Sequence, residues 1–361
     1  MSTPNAAVPQ LATEMTARLD ERDLTHVVDH ARLEWTDLRG ARVLITGATG
    51  FVGSWLLETL VHASDTLGLG LHVAALVREP ETFATRFPRL AASKAVHLHV
   101  GDVRVADLAA HSFSHYVHCA SASPPLMNAE RPGEVVEIIE RGTERMLEEA
   151  ERWLGARFLQ ISSGSVYGAQ PPSLALMDES YVGTADASDP AQWFGAAKRR
   201  AELRGKAAVK RGVGFVSARV FALVGPRLPL DGQFAIGNFF GDALAGRAIH
   251  LTGDGAPVRA WMYAADMAAW CWTLLVRGKA GAAYNVGSEE ALSIWDAATR
   301  VAALPVLPVT VERGRAPDPS AVPGRYVPST RRAREEFGLE CRIPFDDALR
   351  RTWDWLQIEN A

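Results

Sequence analysis

The stretch Thr46-Gly47-Ala48-Thr49-Gly50-Phe51-Val52-Gly53 constrains this chain more than any other. It follows the short apolar run Arg42-Val43-Leu44-Ile45 and opens a segment, Phe51 to His62, with helical periodicity. A strand that turns through glycines directly into a helix reads as the first unit of a parallel α/β sheet. Glycine permits the tight turn and lets backbone N–H groups approach a pyrophosphate, whose charge a helix N-terminus favours. Gly47, Gly50 and Gly53, with Thr49, Phe51 and Val52 among them, are therefore the candidate cofactor loop, and the ligand class is a dinucleotide.

The same alternation continues. Leu71 to Val77, Val96 to Val100, Tyr116 to Cys119, Arg157 to Ile161 and Phe215 to Val220 read as strands. Pro132 to Leu154, with proline near its start, and Gln192 to Arg211 read as long helices. Repeated β-α order implies a Rossmann-type, doubly wound parallel sheet with right-handed crossovers. Residues 41–225 form this unit. Residues 1–40 are an extension in which Leu24 to Leu33 can pack as a helical arm and the first residues are read as disordered. From 226 to 361 glycine and proline become frequent, which reads as a smaller C-terminal lobe over the carboxyl edge of the sheet. Two stretches near 258–290, Ala260 to Arg277 and Tyr284-Asn285-Val286, are candidates to return to the sheet. Arg313 to Pro328, rich in proline and arginine, reads as a loop.

Bulk properties remove several function classes. A net charge of -4 argues against a nucleic-acid binder. The longest apolar run, Met267 to Val276, is too short for a membrane span and reads as a buried helix. Glu14, Arg18 and Asp20 occupy the place where a secretory signal would be apolar. Cys119, Cys271 and Cys341 are odd in number and far apart, which points to a reducing, cytoplasmic setting rather than a disulfide framework. His97 and His99 share one strand face, but no zinc-type spacing accompanies them, so no metal is expected.

The second strand closes on Val77-Arg78-Glu79-Pro80. An acidic residue at Val77 would suit the ribose of NAD, whereas Arg78 suits the 2′-phosphate of NADP by a charge-assisted fork. NADP is therefore preferred, and Glu79 keeps NAD open. Gly101-Asp102-Val103 closes the third strand, where Asp102 can accept a hydrogen bond from an adenine amino group or simply make a turn.

The Gly-rich loop, His118-Cys119-Ala120-Ser121, Gly142-Thr143, Ser162-Ser163-Gly164-Ser165-Val166-Tyr167-Gly168, Arg219 to Pro226, Gly253 to Asp266 and Tyr284-Asn285-Val286-Gly287 resemble the extended short-chain dehydrogenase/reductase family. The resemblance is to its nucleotide-sugar epimerase, dehydratase and ketoreductase branch and runs from Ala41 to about Trp355. It implies a catalytic Ser/Thr, Tyr and Lys. In that set lysine lowers the tyrosine pKa and holds the nicotinamide ribose, and tyrosine exchanges a proton with the substrate oxygen. The resemblance places the serine at Ser163 and the lysine at Lys198. At the tyrosine position stands Phe194, in Trp193-Phe194-Gly195-Ala196-Ala197-Lys198, and its ring can neither donate nor accept a proton. Three readings of Phe194 stay open: a natural variant with another proton route, an introduced Tyr-to-Phe change, or a binding protein without catalysis. Tyr167 is placed off the proton path.

The resemblance also narrows the reaction. Dehydratases of the branch carry an Asp-Glu pair after the serine, and decarboxylases a glutamate at the second place. Here those places hold Gly164 and Ser165. What remains is hydride chemistry at a sugar carbon, C4 by the resemblance. Reduction of an NDP-4-keto sugar leads, and 4-epimerisation with tightly held NAD or silent binding are the alternatives. Cofactor contacts are expected from Gly47 to Gly53, Arg78, Asp102, Val103, Ala120, Ser121 and Lys198. Substrate contacts are expected from Ser163, Ser165, Asn238, Arg259 and Arg325, the last beside Tyr326 and Arg331. Ile139 and Ala222 replace asparagines common in the family. A homodimer paired through the two long helices is a further implication of the resemblance.

Overall fold

The computed structural model describes residues 17–121, 132–186, 188–189, 192–232 and 234–359, so the N-terminal residues expected to be disordered lie largely outside it. Its centre is a parallel sheet of seven strands: β1 (Arg42–Thr46), β2 (His72–Val77), β3 (Val96–Val100), β4 (His115–His118), β5 (Arg157–Ser163), β6 (Gly214–Val220) and an edge strand, Ala283–Val286. The spatial order is edge strand, β6, β5, β4, β1, β2, β3, with every pair parallel. The chain is thus a Rossmann-type α/β fold.

Burial on both faces explains why β1 reads as a continuous apolar run. Val43 and Ile45 pack into one core and Leu44 into another. The first core carries the helices Phe51–Leu67 and Ala264–Arg277, the second the inner side of Pro132–Glu151. The chain winds from β1 outward through β2 and β3, then returns to β4 on the other side of β1. The carboxyl ends of β1 and β4 therefore flank a switch point, the place where open α/β sheets bind ligands.

The stretch Ala260 to Arg277 does not rejoin the main sheet. Trp261–Tyr263 pairs with Ala222–Val224 in a separate two-stranded sheet, and Ala264–Arg277 is a helix. That helix is apolar on all sides because it lies between the sheet and an N-terminal helix, Glu21–His30. Leu24 and Val27 of the N-terminal helix are buried, and its Asp23 accepts from the Tyr263 hydroxyl at 2.5 Å and Arg351 Nη1 at 2.7 Å. The segment Arg313 to Pro328 is not wholly a loop either. Arg325–Tyr326 pairs with Val258–Arg259, which in turn pairs with Leu292–Ser293. Two-residue pairing between distant segments leaves no periodic trace in sequence.

A buried network ties the helix Trp193–Val209 to β5 and β6. Glu202 accepts from Ser162 Oγ at 2.6 Å, Ser217 Oγ at 2.9 Å and Arg219 Nη2 at 2.7 Å. Burial opposes its charge, but the Arg219 guanidinium and the two hydroxyls hold its carboxyl below the usual range. Removing one partner of such a pair leaves an uncompensated buried charge. Glu202→Gln is expected to cost about 3–5 kcal/mol of unfolding free energy. Glu151→Gln, which breaks the exposed pair with Arg211, should cost below about 1 kcal/mol. Urea denaturation of the two variants checks the contrast.

Candidate active site

At the switch point the three loop glycines serve different needs. Gly47 has φ +67°, and a Cβ there would stand 2.7 Å from the Ala120 nitrogen. A Cβ on Gly53 would fall on the Gly47 carbonyl oxygen. The protein's own packing thus requires glycine at both places. Gly50 is different: it is exposed, its φ is -78°, and an added Cβ would meet only the Gly47 oxygen at 3.4 Å. It caps the helix Phe51–Leu67 without a side-chain bond, so the first N–H groups of that helix point outward with no protein side-chain cap. An open Cβ position over bare N–H donors is the cradle a pyrophosphate fits.

The surroundings extend that cradle. Thr46 Oγ1 joins the loops after β1 and β4, bonding His118 Nδ1 at 2.7 Å and accepting from the Ala120 nitrogen at 3.2 Å. Ser121 Oγ is buried and has no hydrogen-bond partner among the described residues. Arg86, which sequence reasoning did not single out, donates to the Thr49 carbonyl at 3.1 Å and fixes the loop from outside. Arg78 stands exposed at the end of β2, near enough to Asp102 to depress its pKa. Asp102 forks onto Arg104 at 2.9 and 2.7 Å, and that hydrogen bond chiefly holds its carboxyl below the usual range. Its oxygens are thus partly engaged before any adenine arrives. Val103 is buried against Gly142, where a Cβ would come within 2.9 Å of its Cγ1.

Lys198 and Phe194 stand together near the end of β5, the strand that Ser163 closes, and Lys198 is close enough to Cys119, in the loop after β4, to interact with it electrostatically. Helix Trp193–Val209 reaches the short turn Gly164–Tyr167 because residue 195 is glycine; any Cβ there would strike the Ser165 carbonyl oxygen. Lys198 is buried, donates to the Ile161 carbonyl at 3.0 Å, and its Nζ lies 5.8 Å from the centre of the Phe194 ring. Burial lowers the ammonium to about 8, with Cys119 and Glu202 pulling the other way. Cys119 itself is pushed up to about 12 by burial, which keeps it a neutral thiol. Ser163 Oγ accepts from the Ser165 nitrogen at 3.1 Å and Ser165 Oγ at 2.9 Å. Those bonds leave its own proton free to be donated. Tyr167 is fully buried, donating to Asn285 at 2.8 Å and accepting from Arg219 at 2.9 Å, so its hydroxyl is engaged on both sides.

On the opposite side the residues separate into two groups. Arg259 is half-buried on its short strand, with its guanidinium 5.7 Å from the Tyr326 ring. Arg325 precedes that tyrosine, and its Nε is buried without a partner among the described residues. Tyr326 packs on Phe221 with ring centroids 4.6 Å apart, and its hydroxyl comes within 2.5 Å of where a Gly164 Cβ would be. Asn238, by contrast, spends its amide on the backbone of Gly232, at 3.0 and 2.9 Å, and closes its own loop. Arg331 pairs with Asp178 at 3.1 Å. Sequence reasoning underrated Tyr326; the one signal was its position between two arginines.

This arrangement has relatives. Residues 43–287 match the NAD dependent epimerase/dehydratase family. The chain belongs to that family. Similar proteins include UDP-glucuronic acid decarboxylase 1 of Danio rerio, 27% identical over 321 residues that cover 88% of this chain and 73% of that protein. Among solved structures, the epimerase Mth375 of Methanothermobacter thermautotrophicus superposes with a TM-score of 0.75 at 23% identity, covering 93% of this chain and 96% of its own. The UDP-glucose 4-epimerase of Thermus thermophilus, solved with NAD, gives 0.70 at 25% identity, covering 88% and 99%. The family's dinucleotide fits the cradle described above.

Two tests follow from this geometry. Gly50→Ala is expected to fold with near-parent stability yet bind NAD(P) at least about tenfold more weakly, a loss of ~1.4 kcal/mol. Gly53→Ala should instead fail in thermal unfolding, because its Cβ has no room. For Lys198 the folded pKa of about 8 lies below the ordinary value near 10.4. Between the two the unfolded chain holds a proton that the folded chain has released, so parent stability rises with pH across this window. Relative to Lys198→Met, the parent should gain roughly 3 kcal/mol between pH 8 and 10.4, read by urea denaturation at each pH.

Proposed function

We propose that this chain is a nucleotide-sugar oxidoreductase that reduces a keto group, at C4 of an NDP-4-keto sugar, with NADPH preferred over NADH. The observation that carries the reading is the composition of the turn after Ser163. No carboxylate stands at Gly164 or Ser165, and the space a side chain at 164 would need is filled by Tyr326 and Phe221. Elimination and decarboxylation by the carboxylates of the branch therefore lack their acid and base.

The remaining residues fit roles in reduction. The loop from Gly47 to Gly53 holds the pyrophosphate, Arg78 is free to fork onto a 2′-phosphate, and Lys198 reaches the nicotinamide ribose. When bound, the reduced dinucleotide supplies the hydride. In this reading the Ser163 Oγ–H, which the bonds from Ser165 leave unengaged, donates to the substrate oxygen, and Arg259 with Arg325 offers charge to the diphosphate. Reduction asks for a proton donor, whereas oxidising an alcohol asks for a base. Phe194 supplies neither, and the hydroxyls beside it are donors at neutral pH.

The test mixes the purified chain and Phe194→Tyr with a panel of NDP-4-keto sugars and follows NADPH absorbance. Net NADPH loss is expected from the parent, and a faster rate from the variant. Interconversion of 4-epimers without net NADPH loss would replace this reading by epimerisation. No turnover by either chain, with nucleotide sugar still bound in calorimetry, would leave a binding protein.

A further inference from the structure

We propose that the Ser165 hydroxyl is the second link of a two-serine proton relay that stands in for the phenol missing at position 194, passing its proton to Ser163 Oγ as Ser163 protonates the substrate oxygen. This rests on the reductase reading above. The two hydroxyls are directly bonded, with Ser165 Oγ donating to Ser163 Oγ at 2.9 Å. A hydroxyl oxygen offers one proton and two acceptor positions. On Ser163 both acceptor positions are taken by Ser165, one by its nitrogen at 3.1 Å and the other by its hydroxyl. The remaining tetrahedral direction belongs to the Ser163 proton. The proton that leaves and the proton that replaces it therefore lie on different sides of one oxygen.

The neighbouring serine makes the contrast. Ser162 is buried and spends its proton on Glu202 at 2.6 Å. Ser165 is partly exposed, as is Ser163, so its oxygen stays open to water while its proton is turned to Ser163. Its place is set by backbone on both sides. The Ser165 N–H is bonded to Ser163, its carbonyl accepts from the Gly168 nitrogen at 3.0 Å, and a Cβ on Gly195 would fall on that carbonyl. Gly195 follows Phe194 on the helix Trp193–Val209, so the turn carrying Ser165 packs on the residue next to the absent phenol.

The proton balance closes. As the carbonyl carbon takes hydride from the reduced dinucleotide, the carbonyl oxygen takes the proton of Ser163 Oγ, and that O–H bond breaks. Ser163 Oγ takes the Ser165 proton along the existing hydrogen bond. Ser165 Oγ takes a proton from water at its exposed side, and the hydroxide left behind is neutralised by solvent. Ketone, NADPH and one proton thus give alcohol and NADP+. Both serines start and finish protonated, so neither carries charge between turnovers.

The experiment uses the full chain with NADPH and a 4-keto nucleotide sugar. In single-turnover reactions run in mixtures of light and heavy water, the parent rate is expected to fall along a curve as the deuterium fraction rises, the mark of more than one proton in flight. Ser165→Ala should give a straight line. In steady state Ser165→Ala is expected to lower kcat roughly a hundredfold with KM little changed. Ser165→Thr, which keeps the hydroxyl, should stay within a few-fold of the parent. Phe194→Tyr should remove the dependence, so that adding Ser165→Ala to it changes kcat by no more than a few-fold. A straight line for the parent overturns the relay without any variant. So does a Ser165→Ala rate close to the parent's, a change confined to KM, an equal loss in Ser165→Thr, or persistence of the loss in the double variant. Absence of turnover from both parent and Phe194→Tyr is a distinct result that removes the reductase reading and the relay with it.

Discussion

The site depends on one backbone contact, the Gly47 carbonyl lying where a side chain on residue 53 would begin. That contact sets how steeply the helix Phe51–Leu67 leaves β1, and so where its bare N–H groups point. Gly47 in turn lies on the Cys119–Ala120 backbone, which locks the loop after β1 to the loop after β4 across the switch point. On the far side, Gly195 repeats the device by letting its helix rest on the Ser165 carbonyl. Backbone on backbone has no rotamers to lose or adjust, so the cradle and the Ser163 turn are fixed relative to the sheet before any ligand binds.

Electrostatics complete what packing begins. Among the described residues, Lys198 has a carbonyl but no carboxylate as its direct partner, while Glu202, one helical turn on, gives its charge to Arg219. The two cations in this region are therefore treated in opposite ways. Arg219 is neutralised and serves the fold. Lys198 is held under strain that a ligand's oxygens can relieve, which is the behaviour expected of a site rather than of a core.

Much of this was legible in the chain. The glycines of the loop and the β-α alternation could be read because each lies within a short window of fixed spacing, whereas Ser163 and Lys198 were singled out only through the family resemblance. What escaped reading was non-local. The pairing of Tyr326 with Arg259 joins segments distant in sequence, and the filling of the space at Gly164 is a fact about Tyr326 and Phe221, not about glycine. Asn238 and Asp102 show the reverse case. Their residue types suit ligand contacts, but nearby partners claim them, Gly232 for the first and Arg104 for the second. Within Ala260 to Arg277 the buried helix was legible as an apolar run, but the pairing of Trp261–Tyr263 with Ala222–Val224, outside the main sheet, is non-local and left no such trace.

Tyr326 also limits what the first position after Ser163 can carry. The first position after the serine can hold a carboxylate only if the phenol withdraws, because the two would occupy the same volume. A single Gly164→Asp exchange would then bring a charged group against the Tyr326 hydroxyl and the Phe221 ring. Making room at position 164 would require movement of the strand Arg325–Tyr326, which is tied through Val327 to Gln170 and Met177 and through its register to Arg259. What the turn after β5 can carry is in this sense set by a segment distant in the chain, because the volume beside Gly164 belongs to Tyr326 and Phe221.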